Sequence, residues 1–169
     1  MDKHHRSCFA AGLLLAGTVT AAQAAPAATT PYIKIDQFGY LTAMNKVAIV
    51  VDPQAGYNAA EAFAPATGSG QYQVRRWADD VVVFSGTLQA WKSGATHGQS
   101  GDRGWHFDFS TLATAGSYYV WDTVNKVGSG RFEVGTNVYD GVLRAALRMY
   151  YHQRLNHAKV APYVDPRWA

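Results

Sequence analysis

The stretch WHFDFSTLATAGSYYVWDTVNKVGSGRFEV, Trp105–Val134, decides the fold class. Trp105, Phe107 and Phe109 alternate with His106 and Asp108, the period of a strand with one buried face. Ala115-Gly116 marks a turn, and Ser117–Asp122 (SYYVWD) runs on as the next strand. Asn125–Ser129 is a second turn. Arg131–Val134 then places Phe132 and Val134 on one face and Glu133 on the other.

The same pattern extends toward the N-terminus. Gln71–Trp77 alternates, with Tyr72 and Val74 on one face and Gln73 and Arg75 on the other. Ala78-Asp79-Asp80 turns it into Val81–Phe84, its hairpin partner. Lys46–Asp52 (KVAIVVD) is a continuous run that reads as a strand covered on both faces. Tyr32–Asp36 reads as a half-buried first strand, with a turn at Gly39. Pro53–Gly70 reads as a loop, and Ser93–Gly104, with four glycines, as a mobile loop. About seven short strands at spacings of roughly 8–12 residues predict an all-β fold, an immunoglobulin-like β-sandwich over residues 32–135.

After Gly135 the period changes to that of a helix. Asn137 is placed to cap it, with Asp140 three residues on. Val138, Val142, Ala146 and Met149 form one apolar stripe; Leu143, Leu147 and Tyr150 form a second beside it. Together they make a face wider than one small partner covers. Asn156 is a candidate helix stop. Residues 136–169 are therefore expected to be the start of a truncated helical domain, and those seven side chains its interdomain face.

Lys3 and Arg6, the apolar run Cys8–Thr18 and the small residues Ala22-Gln23-Ala24 predict a secretory signal peptide over residues 1–24, cleaved near Ala24. Secretion or a periplasmic location follows. Ala25–Pro31 reads as a linker. The single cysteine, Cys8, falls in the signal, so neither a disulfide framework nor a cysteine zinc site is expected. The formal charge of +3 is scattered without a basic run, which argues against nucleic acid. No apolar run approaches the roughly 20 residues of a membrane span.

Candidate chemistry is sparse. Asp102 and Asp108 could be paired as carboxylates, but one lies in a Gly-rich loop and the other on a strand. Asp79-Asp80 is too short a turn for the six or more oxygens of a calcium site. His97, His106, His152 and His157 lack metal-ligand spacing, and Ser85, Ser93 and Ser110 lie in no Gly-x-Ser-x-Gly elbow. No catalytic, cofactor-binding or metal-ligating residue is expected. Of Trp77, Trp91, Trp105 and Trp121, the last two sit in core-like patterns. Trp91, beside Lys92 and the Gly-rich loop, is the candidate for stacking on a sugar ring.

Four pieces of the chain resemble a known family. They are Ile35-Asp36-Gln37-Phe38-Gly39-Tyr40 followed by Asn45-Lys46-Val47-Ala48; Asp108-Phe109-Ser110 followed by Gly116-Ser117-Tyr118-Tyr119; Gly130-Arg131-Phe132-Glu133-Val134; and Tyr139 with Leu147-Arg148 and Tyr150-Tyr151-His152-Gln153-Arg154. In that order they resemble the N-terminal immunoglobulin-like module of family-9 glycoside hydrolases, the bacterial cellulase type, with the first helix of the catalytic domain. The resemblance implies a non-catalytic module of a secreted β-1,4-glucan hydrolase. Such a module packs on and stabilises a helical glucanase catalytic domain in cis, which these residues lack. The family's catalysis uses an Asp-Ala-Gly-Asp motif and a distant glutamate, with inversion at the sugar. No such motif occurs here, and the only glutamates are Glu61 and Glu133. No catalytic residue carries over, and the chain is expected to be inactive alone. The chain departs from the family at Leu155-Asn156, where a small residue and Gly usually follow. The alternative reading is a free-standing secreted carbohydrate-binding sandwich with β-glucan as ligand.

Overall fold

In the computed structural model the described residues are 26, 28–154, 158, 160–162, 164, 165 and 167. The expected signal peptide (1–24), Asn156, His157 and the departure at Leu155-Asn156 lie outside the described residues. The strands are β1 Ile33–Lys34, β2 Tyr40–Leu41, β3 Val47–Pro53, β4 Tyr72–Arg76, β5 Val82–Gly86, β6 Gln89–Ala90, β7 Asp102–Asp108, β8 Gly116–Asp122, β9 Val127–Gly128 and β10 Phe132–Gly135, followed by helix α1, Asp140–His152. One sheet has the order β1-β3-β7-β6 and the other β2-β10-β8-β4-β5, with β9 also on β8. All these pairs are antiparallel except β10 with β2, which is parallel.

The sheets face each other across an aromatic core. Ile33, Ala48, Val50 and Phe107 point in from one sheet; Tyr40, Tyr72, Val74, Tyr118, Val120, Phe132 and Val134 point in from the other. Phe109 bridges them, with ring centres 5.3 Å from Tyr40, 5.5 Å from Phe132 and 5.9 Å from Phe107. Edge-to-face and tilted rings at such distances add to the burial of their area. The Tyr118 hydroxyl donates to Thr114 O at 3.1 Å, tying the start of β8 back onto the preceding loop.

Several expectations are corrected. β3 is not covered on both faces: Ala48 and Val50 are buried, while Ile49 and Val51 are half-exposed on the outside. The doubly covered strand is β8, where Tyr119 and Trp121 are also buried. Trp77 packs edge-on against Tyr119, and the Arg75 guanidinium lies 5.4 Å over Trp121. Ser93–Gly104 is not one loop. Asp102 onward is β7, and Gly101 O accepts the N–H groups of Gln54 and Ala55 at 2.9 and 3.0 Å. The expected linker is pinned in part: Ala28 O accepts Gly128 N–H at 2.8 Å, and Gly128 O accepts Thr30 N–H at 2.9 Å. Asn137 is not the helix cap. The flanking residue is Tyr139, without a side-chain capping bond, and the Asn137 side chain accepts from the Thr136 hydroxyl instead. Val138 thus precedes the helix and does not share its stripe.

Candidate functional site

Two features of the surface have the makings of a site: the junction at α1, and a pocket on the outer face of the β1-β3-β7-β6 sheet.

The junction is built by the turn Asp36–Tyr40. Asp36 Oδ1 accepts the Phe38 N–H at 2.9 Å, closing a local turn. The Tyr40 hydroxyl accepts Asp36 N–H and donates to Val47 O, both at 3.0 Å. Gly39 sits at φ 98°, and a Cβ there would lie 2.5 Å from Glu133 O, so only glycine fits. Against this turn the Tyr139 hydroxyl lies 2.9 Å from Asp36 Oδ2 and 3.0 Å from Gly39 O. Burial first, then the bond to Asp36, raises the Tyr139 phenol above its usual pKa. The start of α1 is thereby fixed to the sandwich. Neither Asp36 nor Tyr139 stood out as a site in the sequence; both lie in the pieces that carry the family resemblance.

Beyond Tyr139, α1 buries none of its residues. Leu143, Leu147, Met149 and Tyr150 are 58%, 59%, 49% and 64% exposed. Ala146 is exposed and Val142 and Val138 are half-buried. The two expected stripes are therefore present from Val142 onward and face outward. Leu147 also lines a cavity of about 480 Å³ with Arg148, Tyr151 and Pro162, between the helix and the following segment.

Trp91 is half-buried in a small pocket with Ile49, Val51, His97, Asp102 and Gly104. Its ring centre is 5.4 Å from that of His97, edge to face, and the Lys92 ammonium lies 4.8 Å over it. The other described tryptophans are engaged elsewhere. Trp105 packs on the core, Trp121 is buried, and Trp77 lies between Tyr119 and the Arg131 guanidinium.

The remaining sequence candidates do not assemble. Asp102 and Asp108 close opposite ends of β7, pairing with Pro53 and Val47. At about 3.3 Å per residue that is ~20 Å, too far for carboxyls that must flank one bond. Asp108 Oδ1 accepts the hydroxyl and N–H of Ser110 at 2.6 and 2.9 Å, and these bonds lower its pKa. Asp79 pairs with Arg76 at 2.7 Å; Asp80 pairs with Arg75 at 3.0 Å and accepts the Tyr119 hydroxyl. Among the described residues no three His, Cys, Asp or Glu side chains come together as metal ligands. Of the buried charges, Lys46 and Asp122 escaped sequence reading because both serve the fold. Lys46 Nζ donates to the carbonyls of Thr42, Met44 and Ser110 at 2.9, 2.8 and 3.2 Å. Asp122 accepts from Ala66, Tyr72, Val124 and Asn125.

Residues 28–129 match the cellulase N-terminal Ig-like domain family. The structure is similar to that of a metagenome-derived glycoside hydrolase family 9 endoglucanase, with 31% identity and a TM-score of 0.54 over 77% of this chain and 22% of that one. It is also similar to the GH family 9 endoglucanase J30, with 29% identity and a TM-score of 0.51 over 72% of this chain and 19% of that one. In fold alone it is similar to a Bacteroides ovatus GH9 protein, at 22% identity and a TM-score of 0.52, over 72% of this chain and 19% of that one. The chain thus spans about a fifth of the length of these proteins. No curated protein matches.

Proposed function

The chain belongs to the family of cellulase N-terminal Ig-like domains, and from that premise we propose that it is the non-catalytic module of a secreted family-9 β-1,4-glucan hydrolase, packing on a helical catalytic domain in cis. One observation carries the reading. Tyr139 fixes the start of α1 to the sandwich, while Leu143, Leu147, Met149 and Tyr150 stand exposed on it. Large contiguous apolar surface on a soluble monomer marks an interaction site. A helical domain laid on α1 buries that surface, and the rigid sandwich then stabilises its partner. Residues 136–169 belong to the start of that domain, and residues 1–24 export the protein to the periplasm or the medium.

Sequencing the DNA beyond the Ala169 codon tests this. A reading frame continuing into a helical domain with Asp-Ala-Gly-Asp supports it. Unrelated coding sequence, in that frame and its neighbours, overturns it. A second reading, glucan binding by the sandwich itself, is favoured by one feature: the half-buried Trp91 in a pocket on the sheet's outer side.

A further inference from the structure

We propose that the Trp91 pocket holds one glucose ring of a β-1,4-glucan chain lying across the outer face of the β1-β3-β7-β6 sheet. The choice of glucan rests on the reading of the chain as a cellulase module; the pocket itself rests on its own geometry.

Its floor is the outward side of β3, Ile49 and Val51, beside Gly104 of β7. A Cβ on Gly104 would stand in ordinary contact, 4.0 Å from that of Trp91, so the Trp91 side chain starts close over this strand. The volume of about 170 Å³ suits a single ring better than a drug-sized ligand. The walls are held in place by backbone. Trp91 is followed by Lys92, Ser93 and Gly94, at φ 41°, 57° and 87°, all left-handed. Two non-glycine residues in that region cost free energy, and such strain concentrates at ligand-holding segments. Opposite, His97 N–H donates to Asp102 O and Gly101 N–H to His97 O, both at 2.8 Å. Gly101 needs its φ of 78°, since a Cβ would lie 2.5 Å from Ala55 O. His97 Nδ1 accepts the Ser100 N–H at 3.2 Å, which fixes the tautomer and leaves Nε2 as donor.

The polar groups at the rim are available. Among the described residues the Asp102 carboxylate and the His106 ring, on the outward side of β7 with Gly104, make no hydrogen bond or ion pair. Carboxylate and imidazole together recognise neighbouring hydroxyls as acceptor and donor. The β-linked glucose ring, with its hydroxyls equatorial, offers a flat C–H face to the negative face of the indole. The Lys92 ammonium occupies that ring in the free protein and is displaced on binding.

Calorimetric titration of these 169 residues with cellohexaose tests the site. We expect saturable binding, weakened at least tenfold by Trp91→Ala and at least threefold by His97→Ala. Lys92→Ala, which removes the competing cation, tightens it two- to fivefold. Phe38→Ala, an exposed aromatic elsewhere, leaves it unchanged. Laminarihexaose, whose β-1,3 links curve away from a flat face, binds at least threefold more weakly. If Trp91→Ala fails a circular-dichroism check of folding, His97→Ala decides. No saturable binding, equal affinity for both sugars, or parental affinity in folded Trp91→Ala or His97→Ala overturns the proposal. Failure here, with a catalytic domain found downstream, removes the pocket and leaves the module assignment; binding with no such domain does the reverse.

Discussion

Replacing Tyr139 with Phe removes a hydroxyl held 2.9 Å from Asp36 Oδ2 while keeping the ring. The carboxylate oxygen loses a neutral donor, so the full chain should lose about 0.5–1.5 kcal/mol in urea denaturation. An unchanged midpoint would mean that α1 is not held there. Asp122 acts through acid sensitivity. Its burial pushes the pKa up, but the bonds from Asn125, Tyr72 and Ala66 outweigh burial and bring it below the usual carboxylate value. A carboxyl depressed in the folded state adds stability above its unfolded pKa of about 3.9 and loses it as pH falls through the folded value. Asp108, lowered by Ser110, works in the same direction. The urea midpoint should therefore stay level above about pH 5 and drop below about pH 4. Asp122→Asn presents an amide to groups that already donate, Tyr72 and Ala66. It should cost about 1–3 kcal/mol at neutral pH and make the acid drop shallower. An acid limb as steep as the parent's would place the sensitivity in other groups.

At the scale of elements, α1 shows what periodicity can and cannot tell. Asn137→Ala should change stability by less than ~0.5 kcal/mol, because no side-chain cap forms; a loss near the ~1 kcal/mol of a true cap would contradict the start at Asp140. The existence of the helix and its stripes from Val142 on were legible, since a 3.6-residue period persists over three turns. Its first residue was not, because Asn137 satisfies a capping pattern that Thr136 diverts. The longer strands were legible for the same reason: Trp105, Phe107, Tyr72 and Val74 alternate as read. The two-residue strands β2, β6 and β9 are shorter than any period, and only pairing in space defines them. KVAIVVD misled because β-branched residues suit an exposed strand face as well as a buried one. Of the candidate sites, Trp91 was legible from its Gly-rich neighbourhood. His97 as its wall was not, because the loop 97–101 is positioned by backbone bonds from Gln54 and Ala55 to Gly101, far off in sequence.

At the scale of the molecule, the sandwich accounts for its own core, and α1 has a face the described sandwich does not cover. These 169 residues on their own should therefore self-associate at high concentration, and Leu143→Glu with Leu147→Glu should shift them to monomer in sedimentation velocity. A parent chain that stays monomeric at the highest concentration would count against an uncovered face. We propose that this Ig-like fold serves a cellulase without carrying its chemistry. Inverting hydrolysis needs an acid and a base about 6.5–9.5 Å apart across a cleft. Asp102 and Asp108 stand at opposite ends of β7, and Asp79, Asp80, Asp108 and Asp122 are committed to Arg, Tyr, Ser and backbone partners. The decisive measurement is the release of reducing ends from carboxymethylcellulose by these 169 residues, purified on their own. No release above a boiled control is the expected result. Release above that control, abolished by Asp102→Asn or Asp108→Asn, would contradict it and make the sandwich an enzyme in its own right.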